Sequence, residues 1–176
     1  MTAINTIEDP KKLSKNQRDW PQLERLISSA MAQATVSEEL LKISLEITAE
    51  FIAIEEPLNQ LCTQSCCRCV ENCCMRATVW YDLKDLLFIY LNTGMFPSCQ
   101  ISRTGNGACS QLTPTGCKTG RADRPFICTW YICSSQKEQC RNHRAAPSVN
   151  NVISAIKRIQ SHRKELQDIF LSTASI

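Results

Sequence analysis

Nine consecutive residues, Cys66 to Cys74, read CCRCVENCC, and five of them are cysteines. The other seven of the chain's twelve cysteines fall between Cys62 and Cys140. Thiols this dense in sequence are forced together in space, so they must be cross-linked, metal-bound or readily oxidised. The first twenty residues, MTAINTIEDPKKLSKNQRDW, hold neither an apolar h-region nor a small-residue cleavage site. A secretory signal is therefore not expected there. The expected location is cytoplasmic, where thiols are kept reduced, so metal is favoured over disulfides. No apolar run approaches the ~18 residues needed to cross a bilayer, so no membrane partner is expected.

The 176 residues are 43% hydrophobic and 21% charged, which suits one folded domain and not a disordered chain. The formal net charge of +3 counts every cysteine as a neutral thiol. Four thiolates around a [4Fe-4S] core of charge 2+ would lower it by about two, and eight around two zinc ions by about four. The basicity is thus no argument for nucleic acid.

Residues 1–17 read as a polar lead-in. A first helix is expected from Asp19 as N-cap, with Pro21 in its first turn and a stripe of Leu23, Leu26, Ile27, Ala30 and Met31. A second helix is expected to start at Thr35 and Glu38, which have capping-box spacing. Its apolar surface is wide, from Leu40 to Ile54, and Pro57 is expected to end or kink it. Asp82 should cap a third helix built on Leu83, Leu86, Leu87, Tyr90 and Leu91, stopped by Gly94. Residues 95–147 hold four of the five glycines, four of the seven prolines and six cysteines, and read as loops, turns and short strands. A last helix is expected from Ser148 to Phe170, with Val149, Val152, Ile156, Ile159, Leu166 and Phe170 at heptad spacing, interrupted by Arg163. Packing of that stripe on the second helix is favoured over a dimer seam.

The expected fold is therefore mainly α. It is a small helical domain whose irregular cysteine-rich region lies between N-terminal helices and a long C-terminal helix. Three sections of one structural domain follow: 1–60, 61–145 and 146–176.

Cys66-x2-Cys69 is a knuckle spacing that serves zinc and iron–sulfur sites alike. Cys69-x3-Cys73-Cys74 extends it. Adjacent cysteines diverge, so one of each pair is expected to bind a second centre or stay free. Arg121 and Arg124 are candidates for holding a phosphate or carboxylate group of a cofactor, or for donating hydrogen bonds to thiolates and offsetting their charge. Trp130 and Tyr131 are expected to shield the metal from water. His143 and His162 read as solvated.

The CC cluster, the WYDLKDL segment after it, and then Gly107-x-Cys109-x2-Leu112, Gly116-Cys117 and Arg124-Pro125-x2-Cys128 together resemble the YkgJ-like cysteine-cluster family. That family is described as a zinc- or iron-chelating domain, and the resemblance covers roughly residues 62–135. It implies that Cys66, Cys69, Cys73, Cys74, Cys109, Cys117, Cys128 and Cys133 are metal ligands. Two departures stand out. The second motif gap is x3 where the family has x2, which leaves Cys67 and Cys69 as alternatives. Lys118-Thr119-Gly120-Arg121 replaces the family's aromatic residue between its GC and RP pairs. Cys62, Cys67, Cys99 and Cys140 are left as spare thiols.

The expected function is that of a cytosolic metal-binding protein. It would hold an iron–sulfur cluster, which is favoured, or zinc, in an electron-transfer, metal-handling or accessory role that could involve a protein partner. The alternative is a metal-dependent protein-modifying enzyme related to flagellin lysine methylases, in which the resemblance implies a similar cysteine module. Nucleic acid is not an expected partner.

Overall fold

The computed structural model describes residues 9–66, 69, 73–114, 116–134, 136–138 and 149–174. The chain is mainly helical, with a long C-terminal helix and an irregular cysteine-rich region before it, as expected. The lead-in is more structured than its polarity implies. Helix α1 spans Pro10–Leu13, and Asp9 caps it by accepting from Lys11 N. A 3-10 turn follows at Gln17–Asp19. Leu13 is buried, and Trp20 Nε1 donates to Ser14 O at 3.1 Å, so this segment is stapled to the core.

Helix α2, Trp20–Met31, carries Pro21 in its first turn and buries Trp20, Leu23, Ile27 and Ala30. Asp19 stands at the N-cap but makes no side-chain cap bond. Helix α3 is longer than expected, running Ala34–Ser65 without ending at Pro57. A proline in a helix interior costs about 3 kcal/mol. Here Ile54, Leu58 and Leu61 on either side of it are all buried, and their packing outweighs that cost. The capping box at Thr35 and Glu38 does not form. Gln33 is the N-cap instead, without a side-chain bond. The apolar surface of α3 is also only partly covered, since Leu41, Leu45 and Ile52 remain exposed.

Helix α4 is a single turn, Cys73–Arg76. Helix α5, Leu83–Thr93, follows its sequence signals closely. Asp82 accepts from Asp85 N at 2.9 Å while Asp85 accepts from Asp82 N at 2.9 Å, a complete capping box. Gly94 ends the helix at φ +72, where a side chain would be strained. Leu83, Leu86, Leu87, Phe88 and Ile89 are buried, while Tyr90 and Leu91 pack at its margin. Asn92 ties α5 to α3 through Ser44 and Thr48.

The cysteine-rich region contains one two-stranded antiparallel ribbon, β1 Leu112–Thr113 with β2 Gly116–Cys117. A turn of helix, α6, spans Ile127–Trp130. The C-terminal helix runs Val149–Ala174 and packs chiefly on α3, with further contacts to α5 and α2. Val152, Ala155, Ile156, Ile159, Leu166 and Phe170 are buried there, so the heptad stripe is consumed within the chain. No helix among the described residues is long and apolar enough to cross a membrane.

Arg163, which interrupts that stripe, is itself buried. Its Nη2 donates to Asp85 Oδ1 at 2.7 Å, and its guanidinium lies 4.7 Å from the centre of the Phe126 ring. Asp85 Oδ1 also accepts from Phe126 N at 2.9 Å. One buried carboxylate thus joins α5, the C-terminal helix and the loop that leads into α6. Buried charges require such pairing.

Candidate metal centre

The last turns of α3 deliver the first thiols. Cys62 and Cys66 are four residues apart and so share one helix face. Their sulfurs hydrogen-bond to each other. Gln136, buried, donates from Nε2 to both, at 3.8 Å and 3.9 Å, and its Oε1 accepts from Cys133 N at 3.1 Å. The Cys66 bond and the guanidinium groups of Arg121 and Arg124 lower the Cys62 thiol to about 6, against a cost from burial. The same bond, with burial and the nearby Cys62 and Cys73 sulfurs, pushes Cys66 far up.

A second pair follows on α4. The Cys74 thiol hydrogen-bonds to Cys73 and lowers it to about 6. Cys74 is raised correspondingly, helped by burial and by neighbouring Cys73, Cys109 and Cys128. Cys109 N donates to Cys74 O at 2.8 Å, which anchors the glycine-containing loop to α4. Cys117 sits on β2 opposite Leu112. Cys128 sits on α6, and burial raises it to about 12, with Cys117, Cys109 and Cys73 adding to the effect and Arg124 opposing it. Cys128 nonetheless retains exposed surface, so part of the site faces water.

Seven thiols from five segments therefore lie near enough to shift one another's protonation: the pairs Cys62–Cys66 and Cys73–Cys74, with Cys109, Cys117 and Cys128 around them. None of the ten described cysteines is in a disulfide. Among the described residues, no three Cys, His, Asp or Glu side chains are gathered closely enough to hold a metal ion. Cys69 and Cys133 are half-buried beside the array, Cys69 through its N–H to Cys66 O at 3.3 Å. Cys99 is exposed, in a loop held by Gln17 through Ser98 O and Gln100 N. Cys67, Cys140 and His143 lie outside the described residues.

Arg121 is buried, with Nη2 donating to Asn59 Oδ1 at 2.7 Å and the guanidinium reaching Cys62. Its Nε is buried with no hydrogen-bond partner among the described residues. Arg124 donates to Thr119 O at 2.7 Å and Gly120 O at 3.3 Å, which folds the loop before α6. Both arginines thus supply positive charge beside thiols. The donor set suits a thiophilic metal: soft sulfur ligands, no disulfide, and cationic groups to offset thiolate charge.

By sequence alone Cys62 is a spare thiol and Gln136 carries no signal. The four-residue spacing to Cys66 was a visible signal for Cys62. It became meaningful only once α3 ran past Pro57. Trp130 and Tyr131 do not form a lid. They are 41% and 52% exposed, in edge contact with each other. His162 is not a free surface group either, since its Nδ1 stands 3.1 Å from Glu46 on α3.

No family model matches this chain, and no curated protein and no solved structure is significantly similar to it.

Proposed function

We propose that this protein binds metal through its cysteine array, as an iron–sulfur cluster in preference to zinc, and belongs with the YkgJ-like cysteine-cluster proteins it resembles. The observation that carries the reading is that Cys62, Cys66, Cys73, Cys74, Cys109, Cys117 and Cys128, from five segments of the chain, lie in one electrostatic neighbourhood, which metal binding would draw closer. Packing of apolar side chains alone gives no reason to bring seven thiols into one neighbourhood, and thiolates repel one another unless a cation neutralises them. Arg121 and Arg124 supply part of that neutralisation. On this reading the ligands come from Cys66, Cys69, Cys73, Cys74, Cys109, Cys117, Cys128 and Cys133, with Cys62 added. Metal would supply a fixed cross-link between α3, α4, the β1–β2 ribbon and α6, and, as an iron–sulfur cluster, an electron-transfer centre in the cytoplasm.

The test is purification without oxygen, followed by metal analysis and an absorption spectrum. About one to two centres per chain are expected, with visible charge-transfer absorption if iron–sulfur is present. Protein that is stably folded with less than roughly half an equivalent of any transition metal would sink the proposal.

A further inference from the structure

A half-open cavity of about 390 Å³ is lined by residues of α5, α6 and the C-terminal helix and of the segments that lead into α5 and α6. Its size falls within the range of small-molecule sites, roughly 300–1,000 Å³. Three of the large apolar side chains left exposed in this chain, Trp80, Ile127 and Trp130, line this one cavity. Large exposed aromatics concentrated in a concave site mark a binding surface more than a folding defect.

The floor is polar and rigid. Arg163 and Asp85 are buried at 3% and 4% exposure and bonded at 2.7 Å. Arg163 also reaches Asp82 at 3.3 Å, and Lys84 pairs with Asp82 at 3.3 Å. These contacts use both carboxylates of the lining. The remaining charged group is Lys164, exposed at the rim and without an ion pair among the described residues. The cavity therefore combines apolar aromatic walls with one uncompensated cation.

From these features we infer that the cavity is a binding site for a small planar aromatic anion, its ring against Trp80 and Trp130 and its negative group toward Lys164. Ring stacking on indole accounts for the two tryptophans, and a negative head balances the surplus charge. Because Ile127 and Trp130 flank Cys128 and Thr129 on α6, an occupant would press on the same turn of helix that carries a cysteine of the array. The inference does not depend on whether metal is bound.

Calorimetric titration of the whole protein with 2-naphthoate and with neutral 2-naphthamide tests it. The expected result is saturable one-to-one binding of the carboxylate, with the amide about tenfold weaker. Lys164→Gln should erase that difference. Trp130→Ala should weaken both probes by about tenfold, and Trp80→Ala repeats the test on the opposite wall. Absence of saturable binding at millimolar probe, equal affinity for acid and amide, or unchanged affinity in both tryptophan variants would each overturn the assignment.

Discussion

Two residues change meaning once their neighbours are known. Cys62 in sequence is an isolated thiol ahead of a dense cluster. In the fold it is a partner of Cys66, with its own thiol lowered to about 6 and Arg121 and Arg124 nearby. Substituting a ligand or its close partner should cost metal, whereas substituting an exposed thiol removes little. Cys62→Ser and Cys117→Ser are therefore expected to lower metal content clearly, and Cys99→Ser to leave it within error. Equal losses in all three, measured on anaerobically purified protein, would contradict this. Asp85 is the second case. Burial pushes its carboxyl up to about 6 from 3.8, more than the attraction of Arg163 lowers it. The folded state thus holds the Asp85 proton more tightly than the unfolded chain. Its stabilising contribution is complete below about pH 4 and is lost as pH rises to about 6, on the order of 3 kcal/mol. Asp82 behaves oppositely. Burial would raise it, but Arg163 and the Asp85 amide hold it low, so its contribution is lost as pH falls below its unfolded value. Asp85→Asn has no titrating group at this position. The stability gap between the wild type and that variant should therefore widen from pH 7 to pH 4.5 in denaturant titrations. A gap that narrows in acid would show that the ion pair, and not burial, governs Asp85.

At the scale of elements, local signals succeeded where the chain could satisfy itself. The Asp82 cap and the Gly94 stop are short-range chemistry, and both formed where the sequence indicated, the cap completed by Asp85 into a capping box. Helix α3 is the counterexample, because tertiary burial of Ile54, Leu58 and Leu61 carries it through Pro57. The proline removes one backbone donor and crowds the preceding turn. Pro57→Ala should restore that bond and stabilise the protein by roughly 1–2 kcal/mol, after allowing for the added freedom of the unfolded chain. That corresponds to a melting temperature higher by about 2–6 °C. An unchanged or lower melting point would mean that Pro57 itself is needed to aim Cys62 and Cys66. Metal content of the same variant separates the two explanations.

At the scale of the whole molecule, the C-terminal helix covers α3 and locks α5 and the α6 loop through Arg163. Ending the chain after Asn150 would uncover Ile43, Ile47, Phe51 and Ile54 and leave Asp85 buried without its cation. Each apolar side chain contributes about 1.5–3 kcal/mol when buried, and orphaning a buried charge costs about 3–5 kcal/mol. The truncated protein is expected to aggregate and to retain little metal although the described cysteines remain. Soluble, fully loaded truncated protein would show that metal alone holds the cysteine region together.

The helical class, the short-range caps and the crowding of thiols are legible in the order of residues, because periodicity, capping and proximity along the chain are local properties. That order also indicates that the last helix packs on α3, since a long apolar stripe needs a cover. Which thiols become neighbours, that Cys62 joins them through α3, and that Gln136 bridges Cys133 to the Cys62–Cys66 pair emerge from the folded arrangement. That arrangement alone turned Arg163 from a break in a stripe into a buried partner of Asp85. Contacts between residues some 70–80 positions apart depend on how helices cross, and neither spacing nor composition encodes that crossing.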